Sequence, residues 1–298
     1  MHKILITGAT GNVGREVVEQ LLRRNDSLEV IAAVRNPEKA KKEFSDDRLK
    51  FRTFDFKDSA TFEKAFNGIN KLFLLRPPYI TNIDEIFKPI ISEIKKSGVK
   101  EIMFLSVQGA ERFKFIPHHK IEELIIESGL DYVFLRPSYF MQNLTTILLD
   151  DINEKNKIIL PAGKAKFNWI DVKNAAEVAA KILDNSDKYK NSAYEITGYE
   201  NLNFYDAAKI ISKVIGRKVD YENVNPFTFY LKKRREGENR VKILVMAALH
   251  FLPRFQKEPE ISRFYEELMK KLPTSLQIFV EREKELFMIE KSKIQRKL

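Results

Sequence analysis

The stretch Lys3-Ile4-Leu5-Ile6-Thr7-Gly8-Ala9-Thr10-Gly11-Asn12-Val13-Gly14 decides how the chain is read. A short branched, apolar run ends at a turn of the form G-x-x-G-x-x-G. A helical face traced by Val13, Val17, Val18, Leu21 and Leu22 begins inside that turn. Buried strand, glycine turn and amphipathic helix, in that order, is the context in which such glycines carry information. They permit a tight turn, let the backbone approach a pyrophosphate closely, and let the helix pack against its strand. The helix start then offers unsatisfied N–H groups and a positive dipole end to phosphates.

Outward from this turn, near-continuous apolar runs recur at Leu28–Val34, Lys50–Phe56, Lys71–Leu75, Lys100–Val107 and Asp131–Pro137. Such runs fit strands buried on both faces of a parallel sheet. Between them lie helical faces, including Ile83, Ile86, Phe87, Ile90, Ile91 and Ile94, and a segment Lys120–Glu127 that stops at Ser128-Gly129. Alternating strand and helix predicts an α/β fold, a Rossmann-like doubly wound parallel sheet. Past Arg136 the pattern loosens. An alanine-rich helix runs from Asp171 to Leu183, a strand covers Ser192–Thr197, and a helix over Asn203–Ile215 is closed by Gly216. The expectation is a nucleotide-binding domain over residues 1–150. Residues 151–298 would add one or two strands and a smaller α-rich C-terminal lobe, laid as a lid over the carboxyl edge of the sheet.

The composition, 44% hydrophobic and 32% charged, suits a globular chain of 298 residues with a full core and excludes a disordered one. The longest apolar run, Ile243 to Leu249, is far shorter than the ~18–20 residues of a spanning helix. No cysteine means no disulfide framework and no thiolate metal site or nucleophile. The N-terminus reaches its turn glycine too soon for a signal-peptide core, so a cytoplasmic protein is expected, with no membrane partner. Residues 1–150 carry 23 Lys+Arg against 21 Asp+Glu, and residues 151–298 carry 29 against 21, so +8 of the formal +10 lies in the second half. The densest segment, 232–242, holds Lys232-Lys233-Arg234-Arg235, Arg240 and Lys242, and a basic tail holds Lys291, Lys293, Arg296 and Lys297. No nucleic-acid motif accompanies them and acids interrupt them, so a solvated helix face is expected and no nucleic-acid partner.

The end of the second strand should lie near an adenine ribose. An acid there would bind the 2′-OH of NAD, an arginine the 2′-phosphate of NADP. The residue after Ile31-Ala32-Ala33-Val34 is Arg35, with Lys39 one turn further if Pro37 starts a helix. A guanidinium pairs well with phosphate, so NADP(H) is favoured over NAD(H). Asp55 and Phe56, at the end of the third strand, are placed to border the adenine.

The chain resembles the NmrA-like branch of the atypical short-chain dehydrogenases/reductases. The resemblance rests on Ile6 to Gly14, Val34-Arg35-Asn36-Pro37, Phe54-Asp55-Phe56-Lys57-Asp58, Ser128-Gly129-Leu130-Asp131-Tyr132 and Leu135 to Asn143. It continues through Trp169-Ile170-Asp171-Val172 and Tyr194-Glu195-Ile196-Thr197-Gly198. It implies a seven-stranded sheet, a C-terminal substrate lobe, and NAD(P) at the glycine turn. Gly8, Thr10, Gly11, Asn12 and Val13 would then line the phosphates, with Arg35 and Lys39 on the adenosine side. Leu75, Arg76 and Ser106 would border the nicotinamide, Phe140 would lie against its pocket, and His118 matches the lysine or histidine the family keeps at the start of that helix.

Enzymes with the superfamily's usual site use a tyrosine four residues before a lysine as a proton donor. Here Ile116 precedes Lys120 and Lys114 precedes His118 at that spacing, so neither supplies a phenol. Tyr79 and Tyr139 are alternative acids, and no catalytic residue is assigned. Two functions are left open. One is an NADPH-dependent reductase of a quinone or other conjugated small molecule, with Phe227, Phe229, Tyr230, Phe251, Phe255 and Phe264 as an apolar wall. The other is a non-catalytic NADP(H) sensor acting on a regulatory protein partner, with Lys232–Arg235 as its docking surface.

Overall fold

A computed structural model describes residues 2–24 and 28–288. Lys291, Lys293, Arg296 and Lys297 lie outside the described residues. In chain order the elements are β1 (His2–Thr7), α1 (Asn12–Arg24), β2 (Leu28–Val34), α2 (Pro37–Lys41), β3 (Lys50–Thr53), α3 (Phe62–Phe66), β4 (Lys71–Leu75), α4 (Ile83–Lys96), β5 (Glu101–Leu105), α5 (Pro117–Ser128) and β6 (Asp131–Pro137). There follow β7 (Tyr139–Phe140), α6 (Leu149–Lys155), β8 (Lys157–Leu160), β9 (Phe167–Ile170), α7 (Val172–Asp184), β10 (Ser192–Ile196), β11 (Asn201–Leu202), α8 (Phe204–Ile215), β12 (Asp220–Asn223), α9 (Pro226–Arg235), α10 (Arg240–Phe251), α11 (Phe264–Met269) and α12 (Leu276–Arg282). The chain divides into two compact units, one of Met1–Pro137, Val172–Ile196 and Glu267–Lys270, the other of Ser138–Asp171, Thr197–Glu266 and Lys271–Leu298.

The first unit holds a seven-stranded parallel sheet of order β10-β6-β5-β4-β1-β2-β3. The chain builds outward from β1 through β2 to β3, returns to place β4 beside β1, and builds outward again. The strand order therefore reverses between β1 and β4, the switch point at whose carboxyl end α/β sheets bind ligands. On one face Leu5, Ile31, Ala33, Leu72, Leu74, Ile102, Phe104 and Phe134 join Phe62, Phe66, Phe87, Ile90, Ile121 and Ile125 from α3, α4 and α5 in one core. The alternate strand residues point to the opposite face, where α1 and the alanine-rich α7 pack together. Removing each of these large side chains from water contributes about 1.5–3 kcal/mol.

The third strand is shorter than its apolar pattern predicts, ending at Thr53 rather than Phe56. Asp55 takes the chain out of the ladder: its carboxylate accepts from Lys57 N at 3.0 Å, and its own N–H donates to Thr61 Oγ1 at 3.1 Å.

The second unit has more strands than the one or two expected after Arg136. Besides β10, which completes the main sheet of the first unit, there is a three-stranded sheet β11-β9-β7 and a parallel pair β12-β8. They share a core with α6, α8, α9, α10 and α12 built on Trp169, Phe204, Ile211, Phe229, Ile243 and Phe279. Gly198 passes so close to Trp169 that a Cβ would sit 2.0 Å from the Trp169 carbonyl oxygen. Asn168 holds that crossing, accepting from Gly198 N at 2.6 Å and donating to Gly198 O at 3.0 Å. Among the described residues no helix is long and apolar enough to cross a membrane.

Candidate functional site

The site begins where β1 ends. Buried Thr7 donates from Oγ1 to Phe73 O at 3.1 Å and accepts from Leu75 N at 3.0 Å, so β1 and β4 finish at the same level. Gly8 follows in the left-handed region at φ +61°, its α-carbon pressed on Leu75, where a Cβ would lie 2.7 Å from Cδ2. Gly11 N donates to Gly8 O at 2.9 Å and closes the turn. At Gly14 a Cβ would stand 2.2 Å from Gly8 O, so α1 can enter this close only without a side chain there. Thr10, Gly11 and Asn12 are exposed, Val13 is half-buried, and the first turn of α1 holds no acidic residue. The positive end of α1 therefore opens to solvent without a carboxylate of its own. This is a cradle that side chains would fill.

Arg35 and Lys39 are exposed beside the cradle, after the neighbouring strand β2. Asn36 caps α2, accepting from Lys39 N at 2.9 Å, and Pro37 opens it as expected. Nearby cations are taken: Arg15 pairs with Glu43 at 2.7 Å and Lys41 with Glu38 at 2.8 Å. Neither Arg35 nor Lys39 pairs with a carboxylate among the described residues. Asp55 is half-buried in its own turn. Phe56 is buried, its ring packed on Phe54 at 4.9 Å and Phe87 at 5.9 Å, so only its backbone is left to face a ligand.

On the other side of the switch point, Leu75 pairs with Leu105 in register, so Arg76 and Ser106 leave neighbouring strands together. Ser106 is buried, its N–H donating to Leu135 O at 2.7 Å while its Oγ has no partner. Arg76 is half-buried. Its Nη1 donates to Ile80 O at 2.6 Å and to Pro77 O and Pro78 O at 3.3 Å, and its Nε is buried without a partner. Burial lowers its pKa, but a guanidinium stays charged in proteins. No carboxylate pairs with it among the described residues.

His118 sits in the first turn of α5, its ring 6.1 Å from that of Phe104. Burial, and then the charge of Arg76, push its pKa down to about 3, so it is a neutral imidazole at ordinary pH. Of its neighbours, His119 places Nδ1 3.0 Å from Ala110 O and its buried Nε2 3.1 Å from Glu123 without a hydrogen bond, while Lys120 reaches Asp84 at 2.8 Å.

The alternative acids fare poorly. Tyr79 is exposed, with the Lys57 ammonium 5.4 Å over its ring. Tyr139 is in the second unit, ringed by Phe167, Trp169 and Phe204, and its hydroxyl meets His250 Nε2 at 2.9 Å; burial pushes its phenol well above the usual range. Phe140, also in the second unit, is half-buried in β7. Of the expected apolar wall, Phe229 is a core residue, whereas Phe227 and Phe255 are exposed. The basic cluster is largely paired: Lys233 is buried against Asp151 at 2.7 Å and Glu236 at 2.8 Å, and Lys232 lies 3.5 Å from Glu222. Thr7, which levels the strand ends, and the uncompensated charge of Arg76 carry no sequence signal. Both depend on which strand lies beside which.

Among known proteins, the chain is 32% identical over 223 residues to prestalk A differentiation protein A of Dictyostelium discoideum, covering 75% of this chain and 73% of that one. It is 30% identical over 222 residues to NAD(P)H azoreductase of Xenophilus azovorans, covering 73% and 76%. Its fold is similar to that of triphenylmethane reductase from Citrobacter sp., with TM-score 0.83, 25% identity, and 95% and 99% of the two chains covered. The glycine turn, the parallel sheet and most of the second unit fall within residues 1–276, which match the model of one family: the chain belongs to the NmrA-like family.

Proposed function

We propose that this chain is an NADPH-dependent reductase of a quinone or other conjugated small molecule, working without a Tyr–Lys pair. The observation that carries the reading is the cradle of Gly8, Gly11 and Gly14 with its unneutralised helix end, flanked by Arg35 and Lys39, which have no carboxylate partner among the described residues. A pyrophosphate suits the cradle. A 2′-phosphate suits the two cations, which favours NADP(H) over NAD(H). Beyond the ends of β4 and β5, Leu75, Arg76, Ser106 and His118 supply the nicotinamide side, with two buried polar atoms waiting for partners. Two relatives or neighbours are named as reductases, which supports the same class.

Bound NADPH supplies a hydride. The residues here supply position and a partly desolvated floor. Neutral His118 can give or accept one hydrogen bond without carrying charge. With no phenol at the tyrosine position, a solvent proton completes the reduced acceptor, and acceptor, NADPH and one proton give reduced acceptor and NADP+. The test is loss of NADPH absorbance with a panel of quinones and azo compounds. Acceptor-dependent oxidation is expected.

The 32% likeness to a protein named for differentiation favours a second reading, a nucleotide sensor acting on a protein partner. Saturable NADPH binding with no oxidation by any acceptor would favour it.

A further inference from the structure

Arg76 and Ser106 emerge side by side from adjacent strands at the switch point, one step past the Leu75–Leu105 pair. Each carries a buried polar atom without a partner, Nε and Oγ. Leaving such atoms unpaired is costly, and two on neighbouring strand ends mark a place where a ligand completes the hydrogen bonding. The two differ in what they ask of it. Ser106 is neutral. Arg76 carries a full charge that, among the described residues, meets the carbonyls of Pro77, Pro78 and Ile80 and no carboxylate. Its ionisable neighbour His118 stays neutral, and an imidazole brings no negative charge in either form.

We infer that Arg76 sets the charge of the acceptor: neutral and anionic acceptors are reduced, and cationic ones are refused. This rests on the reductase reading above. When a quinone is reduced, the C–H bond of the dihydronicotinamide breaks and its hydrogen passes with the electron pair to the quinone. The products are NADP+ and the hydroquinone monoanion, which a solvent proton then neutralises. The superfamily's phenol, absent here, would have supplied that proton in step with the hydride. Arg76 instead lowers the energy of the anion until water protonates it, since a fixed charge within several ångströms in a partly desolvated site outweighs tenfold effects. A cationic acceptor meets the same charge as repulsion. So does the oxidised nicotinamide ring, which is a cation while the reduced ring is neutral.

The test compares the full-length wild type with Arg76→Met and Arg76→Lys. It uses NADPH with a sulfonated naphthoquinone and with a cationic triphenylmethane dye, and measures dissociation constants of NADP+ and NADPH by fluorescence titration. Wild type should prefer the sulfonated acceptor in kcat/KM. Arg76→Met should lower that preference by about tenfold or more and bring the two nucleotide affinities closer by a similar factor, while Arg76→Lys keeps both. A folded Arg76→Met with unchanged ratios overturns the inference while leaving the reductase reading intact. If Arg76→Met does not fold, the wild type decides: equal use of the two acceptors, or preference for the cationic dye, overturns it. A wild type that binds no NADPH, or binds it and reduces neither acceptor, counts against the reductase reading itself, a result distinct from these.

Discussion

The backbone of Gly14 lies directly against that of Gly8, with room for a hydrogen but not for a Cβ, which would fall 2.2 Å from the Gly8 carbonyl oxygen and 3.0 Å from Ala9 Cα. Both obstructing groups are backbone and cannot rotate away. Gly14→Ala should therefore destabilise the first unit by about 1–3 kcal/mol despite the better helix propensity of alanine. Denaturant midpoints check this, and an unchanged or higher midpoint would contradict the close approach.

Gly11 plays a different part. It is exposed, its φ is ordinary, and a Cβ would come only within 3.3 Å of Gly8 O. Gly11→Val should abolish nucleotide binding while leaving the far-UV circular dichroism nearly unchanged, because a side chain there covers the N–H groups rather than entering the core. Calorimetric titration with NADPH that still shows binding would reject the cradle.

Arg35 is the residue on which the cofactor preference turns. A hydrogen-bonded charge pair contributes about 1.5–3 kcal/mol, so Arg35→Ala should weaken NADP+ by roughly 10- to 100-fold and leave NAD+ almost untouched. Equal losses for the two nucleotides would show that Arg35 does not meet the 2′-phosphate.

Much of the fold is legible in the sequence. Strands buried on both faces need apolar residues at every position, so β1, β2, β4, β5 and β6 stand out as runs, and Pro37, Gly129 and Gly216 mark helix ends where a fixed φ or a left-handed residue is required. The small strands escaped because they are too short for a period: Tyr139–Phe140 and Asn201–Leu202 have two residues each, and in Asp220–Asn223 only Tyr221 is buried. Phe54 and Phe56 made the third strand look longer than it is. The glycine cradle is a local motif and reads locally. By contrast, Lys120 spends its charge on Asp84 in another helix, and the isolation of Arg76 depends on which strand neighbours it; neither is written at short range.

The fully buried His250 and the half-buried His118 set an acid limit on stability. Burial holds His118 at about 3 and His250 at about 4, against about 6.5 in an unfolded chain. Below pH 6.5 the unfolded state binds protons that the folded state refuses, so stability is full above that pH and falls as the pH drops toward 4. The lowered carboxylates, such as Glu222 and Asp151, act only nearer their own range, below about 4.5. The denaturant midpoint should therefore fall between pH 7 and pH 5, and His250→Gln should shrink that difference. Identical midpoints at the two pH values in the wild type would mean that the imidazoles are not shielded.

The basic segment 232–242 can be separated into structure and surface. Lys233 is 6% exposed and Asp151 2%, and they meet at 2.7 Å, with Lys155 holding the other carboxylate oxygen of Asp151 at 2.6 Å and Glu236 bridging both lysines. Lys233→Met should destabilise the second unit, but by less than the ~3–5 kcal/mol of a fully orphaned buried charge, because Lys155 still serves Asp151. Arg235 is exposed and outside this network, so Arg235→Ala should leave the melting temperature within about a degree or two, as ordinary surface changes do. If a protein partner docks through this segment, Arg235→Ala should weaken that complex at unchanged stability, whereas Lys233→Met should act on the complex only through folding. Equal stability losses from the two variants would show that the cluster does not divide in this way.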